Sequence, residues 1–136
     1  MTPKKTKTIN VDKSDYKIYL KKAGDFYEMM HKAQDSLIWT AVGLSAVHCA
    51  ISCCDALLTF YLGIRSGGED HTQVVDLLSW ITKFNGTPEI STFKRIIAKK
   101  SIIAYECREF RQSEAIDITK LAERFYEWVI LNLPKV

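Results

Sequence analysis

The chain predicts an all-α fold, an antiparallel up-and-down bundle of four or five helices. Three observations carry that prediction. Apolar residues recur at three- and four-residue steps over most of the length, and no stretch of useful length alternates apolar with polar. One segment, 39–62, is apolar on nearly all sides and reads as a central helix wrapped by the others. The 136 residues, 47% hydrophobic and 11% aromatic, supply one core and too little for two.

The elements follow in order. Residues 1–13, MTPKKTKTINVDK, are polar and lack apolar periodicity, which predicts a flexible basic tail. Lys4, Lys5, Lys7 and Lys13 against Asp12 account for the whole net charge of +3. Residues 14–136, a single helical-bundle domain, balance basic against acidic groups and carry no global signature of a nucleic-acid binder. A first helix is expected over 15–33, with Ser14 as N-cap. Its apolar face is Tyr16, Tyr19, Leu20, Ala23, Phe26, Tyr27 and Met30. Residues 34–36 read as a turn.

The second helix starts at 37–39 and stops at Gly63, which suits the left-handed position after a helix. Its small residues, Ala41, Gly43, Ser45, Ala46 and Ala50, allow neighbours to approach closely. The third helix opens at Asp70, followed three residues later by Gln73, a capping-box pattern. Val74, Leu77, Leu78 and Ile81 form its inner stripe, and it ends before Asn85-Gly86. Thr87-Pro88-Glu89 opens the fourth, with a cap, a first-turn proline and an acid at the positive end of the dipole. Phe93, Ile96, Ile97, Ile103, Ala104 and Cys107 make its core face. The fifth follows Ser113-Glu114, buries Ile118, Leu121, Ala122, Phe125, Trp128 and Val129, and ends at Pro134.

Four cysteines are present, Cys49, Cys53, Cys54 and Cys107, and no C-x-x-C pair. Three of them share one apolar helix, which argues against a disulfide framework and a zinc ribbon. They are expected to be reduced, buried thiols of a cytoplasmic protein, with neither metal nor cofactor. The segment 37–64 is long enough to cross a membrane, but His48 and Asp55 interrupt it. A mid-membrane Asp costs roughly 2.5–3.5 kcal/mol on insertion scales. The chain start has no apolar signal-peptide core, so neither membrane nor export is expected.

Two constellations carry possible chemistry. Arg65 and His71 bracket the turn GIRSGGEDH. A histidine at a helix start is disfavoured as imidazolium by the dipole, and a neutral imidazole can act as a general base on a ribose hydroxyl. Arg65 would hold the phosphate through its planar fork. Glu69 and Asp70 oppose an anion there, and the structural alternative is that Arg65 pairs with one of them while His71 packs at the helix start. His48 and Asp55 lie two turns apart on one face of the second helix and could line a nucleotide pocket. Asp55 needs a partner in so apolar a setting, and a helix-four lysine, Tyr105 and Arg65 are candidates. The alternative is a satisfied structural Asp and a core or interface His. Lys94, Arg95, Lys99, Lys100, Arg108 and Arg111 make the fourth helix locally basic, either for RNA or as a solvated face.

The segment AVHCAISCCDALLTFYLGIRSGGEDHTQVVDLL, then AKKSIIAYECREF with Lys100 and Tyr105 five apart, then AERFYEWVILNL, resembles HEPN-domain proteins in order and spacing. The resemblance covers nearly the whole chain after residue 14. It implies an antiparallel helix bundle, a homodimer, and a link to nucleotides or RNA. Similar bundles serve as substrate-binding partners of small nucleotidyltransferases, so a nucleotidyltransferase or an antitoxin is an implied partner. Some members are metal-independent, toxin-like endoribonucleases with an R-polar-x-H motif. Arg65 and His71 match its spacing, with Ser66 where the family usually has Asn, Asp or His. The reading is a cytoplasmic, dimeric HEPN-like protein that binds a nucleotide or RNA, or a protein that handles them. Its alternatives are an endoribonuclease using Arg65 and His71, and a non-catalytic dimeric interaction module. His48, Asp55, Lys100 and Tyr105 are the candidate ligand-binding residues.

Overall fold

The computed structural model describes residues 7–68 and 71–135. Its elements run β1 (Thr8–Asn10), α1 (Tyr16–Asp35), α2 (Trp39–Leu62), β2 (Ile64–Ser66), α3 (Thr72–Ser79), α4 (Pro88–Ile97), α5 (Lys100–Ala104) and α6 (Gln112–Leu131). The fold is an all-α helical bundle with a small two-stranded ribbon attached.

α2 is the axis. Its apolar residues leave no polar face to turn to water, so α1, α6, α4, α5 and α3 all pack on it. Val42, Ala46, Val47, Cys49, Ala50, Cys53, Cys54, Leu57 and Leu58 are closed from solvent. α1 folds back on α2 through a tight turn in which Leu37 takes a positive φ of 59°. The ring pairs Tyr16–Phe60 and Phe26–His48 show the antiparallel register directly. Gly43 lets α5 come close: a Cβ there would lie 2.8 Å from Ile103 Cδ1 and 2.9 Å from Phe110 Cε2. Aromatic rings run as a chain from Phe60 through Tyr61, Phe84, Trp128 and Phe125 to Phe93, with centroids 4.9–5.8 Å apart. Edge-on and tilted contacts of this kind add to area burial and tie the α3–α4 connection to α6.

Several boundaries differ from the sequence expectation, each for a local reason. The cap before α1 is Asp12, whose Oδ1 accepts from the Ser14 backbone N–H at 2.9 Å, because a 3-10 turn over Lys13–Asp15 precedes the α-helix. Gly63 does adopt the left-handed conformation, φ 66°, and its N–H bonds the Thr59 carbonyl at 3.0 Å. Of the expected capping box at α3, Asp70 lies outside the described residues. Helix four does not run to Cys107. It ends at Ile97 where Lys99 N–H bonds the Ile96 carbonyl, and α5 then carries Ile103 onto Gly43. α6 begins one residue before Ser113, with the Glu114 carboxylate accepting from the Arg111 backbone N–H at 3.1 Å and from the Arg108 guanidinium at 2.7 and 2.9 Å. That fork holds the Glu114 carboxyl down at about 2.

The ribbon was not expected at all. Thr8, Ile9 and Asn10 pair antiparallel with Ser66, Arg65 and Ile64. Val11 N–H donates to the Gly63 carbonyl and Gly67 N–H to the Lys7 carbonyl, both at 2.9 Å. Part of the segment assigned to a flexible tail is therefore hydrogen-bonded to the turn after α2.

Candidate functional site on the α1–α2 face

His48 and Asp55 sit on one side of α2, as their spacing requires, and Ala41, Leu44 and Ile51 complete the same stripe at heptad-like steps. The three apolar members are half-buried. The antiparallel register of α1 sets Phe26 against His48, rings stacked at 5.3 Å, and brings Lys22 within electrostatic reach of Asp55. β2 brings Arg65 to the same carboxylate, and the pairing with β1 fixes the strand that carries it. The first residue of α5, Lys100, acts on His48.

The electrostatics follow from this geometry. Burial pushes the Asp55 carboxyl up from its ordinary 3.8 to about 6, and the positive charges of Arg65 and Lys22 restrain it from rising further. Neither cation closes to ion-pair distance of Asp55 among the described residues. His48 is held below its usual range, first by partial burial and then by Lys100, so the neutral ring is favoured at pH 7. Two cations, Lys22 and Arg65, thus act on one carboxylate whose ionisation is costly, and a third, Lys100, acts on the imidazole two turns away. The face is left with positive charge beside a stacked imidazole and phenyl ring, a setting suited to an anion with an attached planar group.

Among the residues expected from sequence, the structure groups His48, Asp55, Lys100 and Arg65 around the stripe. Tyr105 stands in the turn after α5 with 77% of its surface in solvent. His71 precedes α3, is half-buried and has partners of its own. Gln73 folds over Gly68, where an added Cβ would lie 2.7 Å from Gln73 Oε1. No sequence pattern marks Lys22, and helical spacing assigns Phe26 to the core face of the first helix rather than to a stacking platform. Folding 16–35 back on 39–62 about the short turn pairs 22 with 55 and 26 with 48, a register that antiparallel packing alone would have suggested.

Cys49, Cys53 and Cys54 are buried free thiols and Cys107 is exposed. Burial pushes the Cys53 and Cys54 thiols far up, which makes them inert packing groups. No cluster of three metal-ligating side chains occurs among the described residues. α2 is long and apolar enough to cross a membrane, with mean hydropathy 1.7, yet 78% of that window is buried against the other helices.

No protein-family model matches this chain, and no curated protein matches it significantly. The class defined by the fold is an all-α helical bundle, and the particular role has to be read from the α1–α2 face.

Proposed function

We propose that this chain is a HEPN-like cytoplasmic protein that works as a homodimer and binds a nucleotide or RNA, or a nucleotide-handling protein such as a nucleotidyltransferase or an antitoxin. The observation that carries the reading is the pair Lys22 and Arg65 beside the half-buried Asp55, with Lys100 beside the Phe26–His48 stack on the same face. A phosphate would compete with the Asp55 carboxylate, whose charge burial penalises, as partner of Lys22 and Arg65. A base would lie against the ring pair. Dimerisation is supported by the apolar groups left on the same side. On α1, Ile18 and Met29 are 55% and 51% exposed, and on α2 Leu44 and Ile51 remain half-covered.

Light scattering at micromolar concentration should give twice the 15.6 kDa chain mass, and Ile51→Arg should return the monomer. A wild-type protein of single-chain mass sinks the dimer. Equilibrium dialysis with labelled nucleotides and a short RNA tests the ligand. Lys22→Gln with Arg65→Gln should abolish the binding, and unchanged binding removes this face from consideration.

The endoribonuclease reading rests on Arg65 and His71 standing on either side of one loop. Arg65 is already engaged electrostatically with Asp55, and Ser66 accepts a hydrogen bond from Gly68 N–H at 3.4 Å within the loop. Wild type is therefore expected to show no robust RNA cleavage in EDTA. EDTA-resistant cleavage lost in both Arg65→Ala and His71→Ala, with folding intact, would promote the enzyme over the binding protein, since general acid–base groups typically contribute about 10²–10⁴-fold.

A further inference from the structure

We propose that the tip of the α1–α2 hairpin is a peripheral membrane-contact site, at which Leu37 and Ile38 enter the apolar edge of a lipid surface. The turn closes α1 with a Schellman pair. Leu37 N–H donates to the Gln34 carbonyl at 3.0 Å and Ile38 N–H to the Ala33 carbonyl at 2.9 Å. That motif sets a left-handed residue just past the helix, where glycine is the common choice. Here the residue is leucine, φ 59°, and among the described residues no other non-glycine has a positive φ. The left-handed conformation is strained for any residue with a Cβ. Burial does not offset the strain, since Leu37 is 65% and Ile38 55% exposed. Neither stability nor solubility favours leucine at this position, so its use lies in a contact outside the chain.

The surroundings suit a bilayer. Trp39 follows at the base of the tip, half-buried against the core. α5 runs toward the same end of the bundle, because Lys100 acts on His48 and Ile103 lies against Gly43, and it leaves the exposed Tyr105 there. Aliphatic side chains at the apex with Trp and Tyr behind them is the order found across a membrane interface. The charges at this end balance. Lys32 pairs with Glu28 and Arg108 with Glu114, and the remaining groups of 32–36 and 99–111 are three bases and three acids. Insertion of apolar side chains, rather than attraction to a polyanion, is therefore the driving force. A stable protein interface takes about 20–30 residues a side. The tip offers a few side chains on one turn, too little for that and enough for reversible insertion into lipid. The contact is peripheral, since α2 itself is covered by the other helices.

The test is co-sedimentation of the full chain with vesicles of phosphatidylcholine, alone or mixed with phosphatidylglycerol. Wild type should partition onto both, with little difference between them. Leu37→Gly should lower the partition coefficient about tenfold, as expected when one aliphatic side chain is withdrawn from hydrocarbon. The same variant should melt a few °C higher, because glycine takes the left-handed conformation without strain. Gain of stability with loss of binding separates the contact from folding. Leu131→Ser is the control. That leucine is 83% exposed but stands at the other end of the bundle, where the Tyr61 hydroxyl donates to the Asn132 carbonyl, and its variant should bind as wild type does. Absence of wild-type partitioning, equal partitioning of Leu37→Gly, a lowered melting temperature in that variant, or an equal loss in Leu131→Ser overturns the site. Binding confined to vesicles with phosphatidylglycerol overturns it too, because charge would then be the cause. So does a halved mass of Leu37→Gly in light scattering, which would place the tip between two copies of the chain.

Discussion

Replacing Asp55 by asparagine should stabilise the protein, and only above a definite pH. Burial has moved this carboxyl from 3.8 to about 6, against the pull of Arg65 and Lys22. An acid whose folded-state pKa lies above its unfolded value binds more protons folded than unfolded. Stability from this group is therefore full below about pH 4, falls as pH rises toward about 6, and stays lost above that. The gap is about two pH units at roughly 1.4 kcal/mol each, which sets a ceiling near 3 kcal/mol. Asparagine keeps the volume and hydrogen-bonding capacity and removes the ionisation. The difference between variant and wild type should be near zero at about pH 4 and reach roughly 2–3 kcal/mol at about pH 7. Taking the difference cancels the histidines, which titrate alike in both proteins. Urea unfolding followed by helical circular dichroism at a series of pH values measures it. A variant less stable than wild type near neutrality, or a gap that does not change with pH, refutes the reasoning. The first outcome would mean that the carboxylate is paired far better than its surroundings indicate.

Deleting residues 1–13 should lower the melting temperature by about 3–6 °C, as expected for loss of roughly 1 kcal/mol in a chain of this size, because the deletion strips the pairing from β2. Calorimetry showing no change would mean that the ribbon contributes nothing. Gly43→Ala should destabilise by about 1–3 kcal/mol, since the added methyl meets Ile103 and Phe110 inside van der Waals distance. An unchanged denaturation midpoint would show that α5 yields without strain.

Much of the fold is legible in the chain because its long helices carry plain apolar patterns. α1 and α6 each show one apolar face, α2 is apolar on nearly all sides, and Gly63 marks the stop of α2. The ribbon is not legible. Three residues of strand are too short for alternation to register, and Thr8-Ile9-Asn10 lies among polar neighbours that read as tail. The break between α4 and α5 carries neither glycine nor proline, so only tertiary contact, Ile103 against Gly43, explains it. At the candidate site, sequence spacing alone joins His48 to Asp55. Arg65 was one of several possible partners for that carboxylate, and the ribbon that positions it decides among them. Lys22 stayed hidden because its role depends on the register between two helices, which no local pattern encodes.

The ribbon has a kinetic consequence. Its strands come from either end of the α1–α2 hairpin, so Thr8 can meet Ser66 only after both long helices have docked. Closing so long a loop is entropically costly, and a lone two-stranded pair is marginal in water. The clasp therefore latches last in folding and releases first, while the helices beneath remain paired. Amide protons of Val11 and Gly67, which bridge it, should exchange well ahead of those in α2. In each such opening the strand that carries Arg65 loses its pairing partner, so the position of that charge beside Asp55 depends on a fastening only a few residues long.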